Sequence, residues 1–222
     1  MDGPHQNRPL VTAGAPLSVA EAATVLVHGR GGTAEGIVAL ADEFYRHGLA
    51  LVAPGAAFDR WYPGSFRAPV ESNEPEFSSA LAAVGDAVET VREAGIPRGR
   101  VVVLGISQGA CVVAEFVART PRRYGGVALS SGGLMGPDVG EYEGSLDGTP
   151  VLVGGHEEDP HVPVERLRET AATFEALGGD VTIRIGEGEH HGITDAELAA
   201  VGDLVDALVD DANGRSADGS AP

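Results

Sequence analysis

Short, nearly unbroken apolar runs alternate along the chain with longer stretches in which apolar residues recur every three or four positions. The runs cover residues 23–28, 49–53, 101–105, 127–130, 151–154 and 181–185. Continuous hydrophobicity of this kind predicts strands covered on both faces, as in a parallel sheet. Residues 10–13 make a further candidate, at an edge. The amphipathic stretches predict helices over 33–47, 76–94, 108–119, 164–177 and 195–210. Thr33 reads as a helix start and Gly48 follows that helix's end. Thr194 with Glu197 three residues on has the spacing of a reciprocal capping box. Repeated β-then-α order implies an α/β architecture: a mostly parallel central sheet of about six or seven strands with right-handed crossovers. Ligands in such sheets sit beyond the carboxyl ends of the strands. Residues 54–75 form a long connection rich in proline, glycine and aromatics, and loops of that length in compact domains are usually functional. Residues 1–211 read as one domain and the small, polar residues 212–222 as a disordered tail.

Composition narrows the possibilities. The chain of 222 residues is long enough for a full core. Its formal net charge is −18, and all 15 basic residues are arginine. Such a surface repels phosphate backbones, so no nucleic-acid partner is expected. It suits strong salt, which screens self-repulsion, or a genome rich in Ala, Gly and Arg codons. No apolar run is long enough for a membrane span, and residues 1–6 do not resemble a secretory signal. The single cysteine, Cys111, excludes an internal disulfide and a cysteine-based zinc cage, and reads as a small packed residue. A cytoplasmic protein without metal or cofactor is the expectation.

The candidate chemistry starts at Gly105-Ile106-Ser107-Gln108-Gly109. An apolar strand leads into it and a helix leaves it, which is the setting in which Gly-x-Ser-x-Gly forms a nucleophile elbow. A Cβ two residues before or after the serine would meet the crossing backbone, so glycine stands at both places. A serine hydroxyl needs a base, and the base needs a carboxylate to fix its tautomer. Both follow in the order serine, acid, histidine, each just past a predicted strand. The acid loop holds Glu157, Glu158 and Asp159. Asp159 is favoured because Pro160 and Pro163 stiffen its surroundings. The closing loop offers His190 and His191, and spacing alone does not choose between them. The backbone N–H of Gln108, at a helix start, is one candidate oxyanion donor. Arg30, in His28-Gly29-Arg30-Gly31-Gly32, supplies a second. That glycine loop lacks the Gly-Lys-Ser/Thr ending and the spaced glycines of nucleotide-binding loops.

Taken together, these motifs resemble the phospholipase/carboxylesterase branch of the α/β-hydrolases, which includes acyl-protein thioesterases and small bacterial carboxylesterases. The pieces are His28-Gly29-Arg30-Gly31-Gly32, Trp61-Tyr62, Gly105-Ile106-Ser107-Gln108-Gly109, Asp159-Pro160-His161-Val162-Pro163 and His191-Gly192-Ile193. The resemblance implies an α/β-hydrolase fold without a large cap domain, with Ser107, Asp159 and His191 as catalytic triad. His190 falls where that family usually has glycine. Arg30 stands where acyl-protein thioesterases usually have leucine, which points away from a long-chain lipid substrate. Gly29, Gly31, Trp61, Tyr62 and Phe66, with Phe58, are expected around a pocket for a compact apolar or aromatic ester. The implied activity is serine hydrolysis of carboxylic esters, thioesters or lactones. A non-catalytic small-molecule receptor on the same fold and an acyltransferase are the alternatives. Related folds often pair two copies, so a homodimer is among the assemblies the resemblance allows.

Overall fold

The computed structural model describes residues 3–217. Seven strands form one sheet: β1 (Leu10–Gly14), β2 (Ala22–Val27), β3 (Leu49–Pro54), β4 (Val101–Ile106), β5 (Gly126–Ser130), β6 (Pro150–His156) and β7 (Asp180–Gly186). Their order is β1-β3-β2-β4-β5-β6-β7. All neighbours pair in parallel except β1 with β3. Among the described residues five helices flank the sheet: α1 (Ala34–Leu40), α2 (Glu76–Glu93), α3 (Gln108–Arg119), α4 (Val164–Ala176) and α5 (Asp195–Ala217).

The sheet explains why the strands read as unbroken apolar runs. Alternate residues point to opposite faces. Ala23, Val25 and Val27 of β2, with Val101 and Val103 of β4, join the core under α2, α3 and α4. Ala22 and Leu26 of β2, with Val102 and Leu104 of β4, join the core under α1 and α5. Both faces are buried, so these strands are apolar at every position but Thr24, which is itself fully buried in β2.

Two helices depart from the sequence reading. The helix expected over 33–47 ends at Leu40 and tightens into a 3₁₀ turn over Ala41–Glu43. Phe44 N–H then bonds the Ala41 carbonyl at 3.0 Å, and the Phe44 ring is fully buried. Burying that ring against the sheet outweighs one more helical turn. Helix α5 continues past Asp210 to Ala217, into the segment expected to be a tail; residues 218–222 lie outside the described residues. The capping box forms as its spacing predicts: Thr194 N–H donates to Glu197 Oε2 at 2.7 Å and Glu197 N–H donates to Thr194 Oγ1 at 3.3 Å.

Register sets where the chemistry emerges. Val27 pairs with Gly105, Ile106 with Ser130, Ser130 with Gly154, and His156 with Gly186. The loops after β2, β4, β5, β6 and β7 therefore leave the sheet side by side along one rim. Strand β2 lies between β3 and β4, so the chain reverses its direction of travel across the sheet there. That reversal opens a crevice at the carboxyl ends.

Candidate active site

The elbow occupies that crevice. Ser107 has φ 54° and ψ −118°, in a sparsely populated region for any residue with a side chain. Such strain costs on the order of 1–3 kcal/mol. The two flanking glycines make the turn possible. A Cβ on Gly105 would lie 2.5 Å from the Gly109 carbonyl oxygen, and a Cβ on Gly109 would lie 2.1 Å from the Val27 carbonyl oxygen. Both distances are far below van der Waals contact with rigid backbone.

Three side chains converge on this turn. His191 Nε2 is 2.7 Å from Ser107 Oγ. His191 Nδ1 is 2.9 Å and 3.0 Å from the two Asp159 oxygens. Asp159 Oδ1 also accepts the N–H groups of His161, at 2.8 Å, and Val162, at 3.0 Å. The carboxylate is almost enclosed, with 1% of its side chain exposed, against 23% for His191. Burial works to raise the Asp159 pKa. The His191 hydrogen bond and the two amides outweigh it and hold the group below the usual carboxylate range. A carboxylate so held takes the Nδ1 proton as its donor and leaves Nε2 as an acceptor facing the serine.

His190 does not reach the serine; its ring packs edge-on against His156 with centroids 4.7 Å apart. Glu157 and Glu158 are exposed. His161 stacks edge-on against His191 at 4.8 Å. The geometry thus separates alternatives that spacing left open.

A cavity of about 520 Å³ opens over Ser107. Gly29, Arg30, Tyr62, Phe66, Gln108 and Val162 are among the residues lining it. This size suits a small-molecule ligand. The Gly29 Cα faces the elbow closely, since a Cβ there would sit 3.3 Å from Ser107 Cβ. The Gln108 N–H lies in the first turn of α3, where no intrahelical acceptor exists. The Arg30 N–H bonds to no acceptor among the described residues. Cys111 forms part of the cavity wall, and burial pushes its thiol up, which keeps it from being a nucleophile at neutral pH.

Three expected lining residues lie elsewhere. Trp61 is fully buried, and its Nε1–H donates to the His28 carbonyl at 2.8 Å. An indole needs one polar partner and a dry pocket for the rest, and the core beneath the loop supplies both. Phe58 is 77% exposed and away from the cavity. Gly31 turns outward, at φ 78°, and its N–H bonds the Asp59 carbonyl at 2.6 Å. Tyr62, Phe66 and Gly29 do line the cavity.

Several supports were not foreseen in the sequence. The Gln108 side chain accepts the Trp61 N–H and donates to the Tyr62 carbonyl, both at 2.8 Å. Arg30 Nη2 donates to the carbonyls of Tyr62, at 2.9 Å, and Gly64, at 3.0 Å. His5 is buried and bridges the same loop: Nδ1 accepts the Ala57 N–H at 2.9 Å and Nε2–H donates to the Trp61 carbonyl at 3.0 Å. Ser131 Oγ accepts the Gly192 N–H at 3.0 Å and donates to the Gly192 carbonyl at 3.1 Å, pinning the chain beside His191. A short polar residue after a strand carries no local pattern that would announce such long-range bonds.

The buried rings of His5 and His28 give the fold a pH dependence. Desolvation lowers the pKa of both below the ordinary 6.5, against the raising effect of their backbone hydrogen bonds. Above pH 6.5 both states hold these rings neutral. As pH falls below 6.5, the unfolded chain takes up protons first, so stability is lost toward the folded values. Asp159 acts in a separate window, below its ordinary 3.8. Thermal melts should show a lower Tm at about pH 5.5 than at about pH 7.5, and a shallower fall in His5→Gln. An unchanged slope in that variant would remove His5 from the account.

A mostly parallel sheet of this order, with an elbow after its central strand, is the architecture of the α/β-hydrolases. The phospholipase/carboxylesterase family model matches residues 13–209, and the chain belongs to that family of esterase-type hydrolases. A phospholipase/carboxylesterase from Dyadobacter fermentans is 37% identical, with a TM-score of 0.86 over 90% of this chain and 96% of that one. A Bacillus cereus carboxylesterase is 18% identical, with a TM-score of 0.73 over 91% and 95% of the two chains. A Mesorhizobium loti carboxylesterase is 20% identical, with a TM-score of 0.70 over 90% and 99%. The last two share the fold. No curated protein matches the chain. No helix among the described residues is long and apolar enough to cross a membrane.

Proposed function

We propose that the chain hydrolyses carboxylic esters of small acyl or aromatic substrates, thioesters and lactones included, through an acyl-enzyme on Ser107. In this reading His191 Nε2 takes the Ser107 proton as Oγ attacks the carbonyl carbon. The N–H groups of Arg30 and Gln108 hold the resulting oxyanion. The tetrahedral adduct collapses, and His191 passes the proton to the departing alcohol or thiol. Water then attacks the acyl-enzyme, giving its proton to His191, and the acid product leaves as Ser107 is restored. Asp159 keeps the imidazole in the useful tautomer and stabilises the imidazolium.

The observation carrying this reading is the continuous hydrogen-bonded chain from Asp159 through His191 to the hydroxyl of a strained serine, at the floor of an open cavity. A receptor has no need of such a relay. An alkyl fluorophosphonate is expected to label the wild-type protein on Ser107 alone, and labelling should become slow in His191→Ala. Absence of the Ser107 adduct by peptide mass spectrometry would sink the proposal and favour a non-catalytic binding protein.

A further inference from the structure

The cavity wall has an unusual charge for this chain. Acidic residues outnumber basic ones by 33 to 15 over the whole sequence. Yet the wall carries Arg30, Arg67 and His161, and no aspartate or glutamate. Asp159, which pairs with His191, is enclosed, with 1% of its side chain exposed. Neither Arg30 nor Arg67 pairs with a carboxylate among the described residues. Arg30 is not free to wander either: its Nη2 is bonded to the carbonyls of Tyr62, Pro63 and Gly64, so its guanidinium is held at the cavity edge. Apolar surface from Phe66, Ile106 and Val162 lies in the same wall.

We infer that the site prefers esters whose acyl part ends in an anionic group, a carboxylate above all. This rests on the proposed hydrolase reading and names its substrate class. An apolar stem would lie against Phe66, Ile106 and Val162, and the far carboxylate would meet the guanidinium edge of Arg30 and Arg67. Arg67 can offer paired N–H donors in the geometry of a carboxylate, while Arg30, whose Nη2 is already bonded to the loop, adds a fixed positive charge beside it. The location matters as much as the charge. At a distance the net charge of −18 repels an anion. A one-sign cleft with low-dielectric walls focuses its own field locally and overrides that repulsion at close range. A neutral ester gains nothing from either effect.

The test compares para-nitrophenyl hydrogen adipate, para-nitrophenyl hexanoate and the trimethylammonium analogue of the hexanoate, each corrected for spontaneous hydrolysis. The readout is the ratio of kcat/KM for the anionic ester over the neutral one. At low salt we expect about fivefold in favour of the anion, the scale of exposed ion pairs. The cationic ester should fall below the neutral one. The preference should shrink toward one in about 1 M salt, where the screening length is roughly 3 Å. Arg67→Glu should bring the ratio below one; Arg67 is exposed, so the variant should fold. Suppose wild-type Ser107 is labelled and the esters are cleaved, but the ratio is one or less and rises with salt. Long-range repulsion then governs and this inference fails, while the hydrolase reading stands. An anion preference that survives Arg67→Glu unchanged overturns it as well. If no ester is cleaved and Ser107 takes no label, both fall together.

Discussion

Replacing Ser107 by alanine is expected to lower kcat for ester cleavage by about a millionfold, the scale of removing a triad nucleophile. Cys111, the next potential nucleophile in the wall, has its thiol pushed up by burial. The amides of Arg30 and Gln108 and the cavity walls survive the change, so KM should move little and a residual rate above the uncatalysed reaction should persist. Folding should survive too. Alanine has the same Cβ as serine at φ 54°, and the Ser107 N–H still bonds the Ser130 carbonyl at 2.8 Å. A Tm close to wild type with lost turnover is therefore the expected pair of results. Near-full activity in this variant would end the serine mechanism.

The second large effect is expected from Asp159→Asn, about ten-thousandfold in kcat, or roughly 5.5 kcal/mol. Asp159 Oδ1 accepts two backbone N–H groups, from His161 and Val162, and only the asparagine carbonyl can continue to do so. The new amide group then faces His191 Nδ1 as a donor. The ring answers by moving its proton to Nε2, where it points at Ser107 Oγ and no longer accepts. The site stays intact in shape and loses its base. Glu157→Gln and Glu158→Gln, at exposed positions of the same loop, should leave kcat within about twofold. A large loss in either of them, with Asp159→Asn mild, would assign the acid wrongly.

How much of this was legible in the sequence follows from how local each cause is. The parallel strands were, because β2 and β4 are buried on both faces and every position but Thr24 is apolar. Helix α3 matched residue for residue, since it begins at the elbow and ends at Arg119 before Pro121. The far end of α1 was not, because Phe44 answers to the sheet rather than to its own helix. Ser107 was marked by two glycines that the turn requires. The choice of His191 over His190 was beyond periodicity: adjacent residues differ only in which way the loop turns, and Ser131, just past β5, pins that loop at Gly192. Trp61 was expected in the cavity because an aromatic in a loop looks like a ligand contact. It serves the loop from below instead, and nothing within a few residues of it reveals the His28 carbonyl it binds.

Arg30 faces two tasks at once. It lines the cavity over Ser107 while its guanidinium ties down the carbonyls of residues 62, 63 and 64. Anyone reshaping that segment to admit bulkier compounds would therefore be tugging on a lever whose other end is the N–H proposed to hold the oxyanion. Directed-evolution libraries aimed at selectivity there should show turnover and preference drifting in concert, whereas libraries at Val162, another residue of the cavity wall, should let the two be tuned apart.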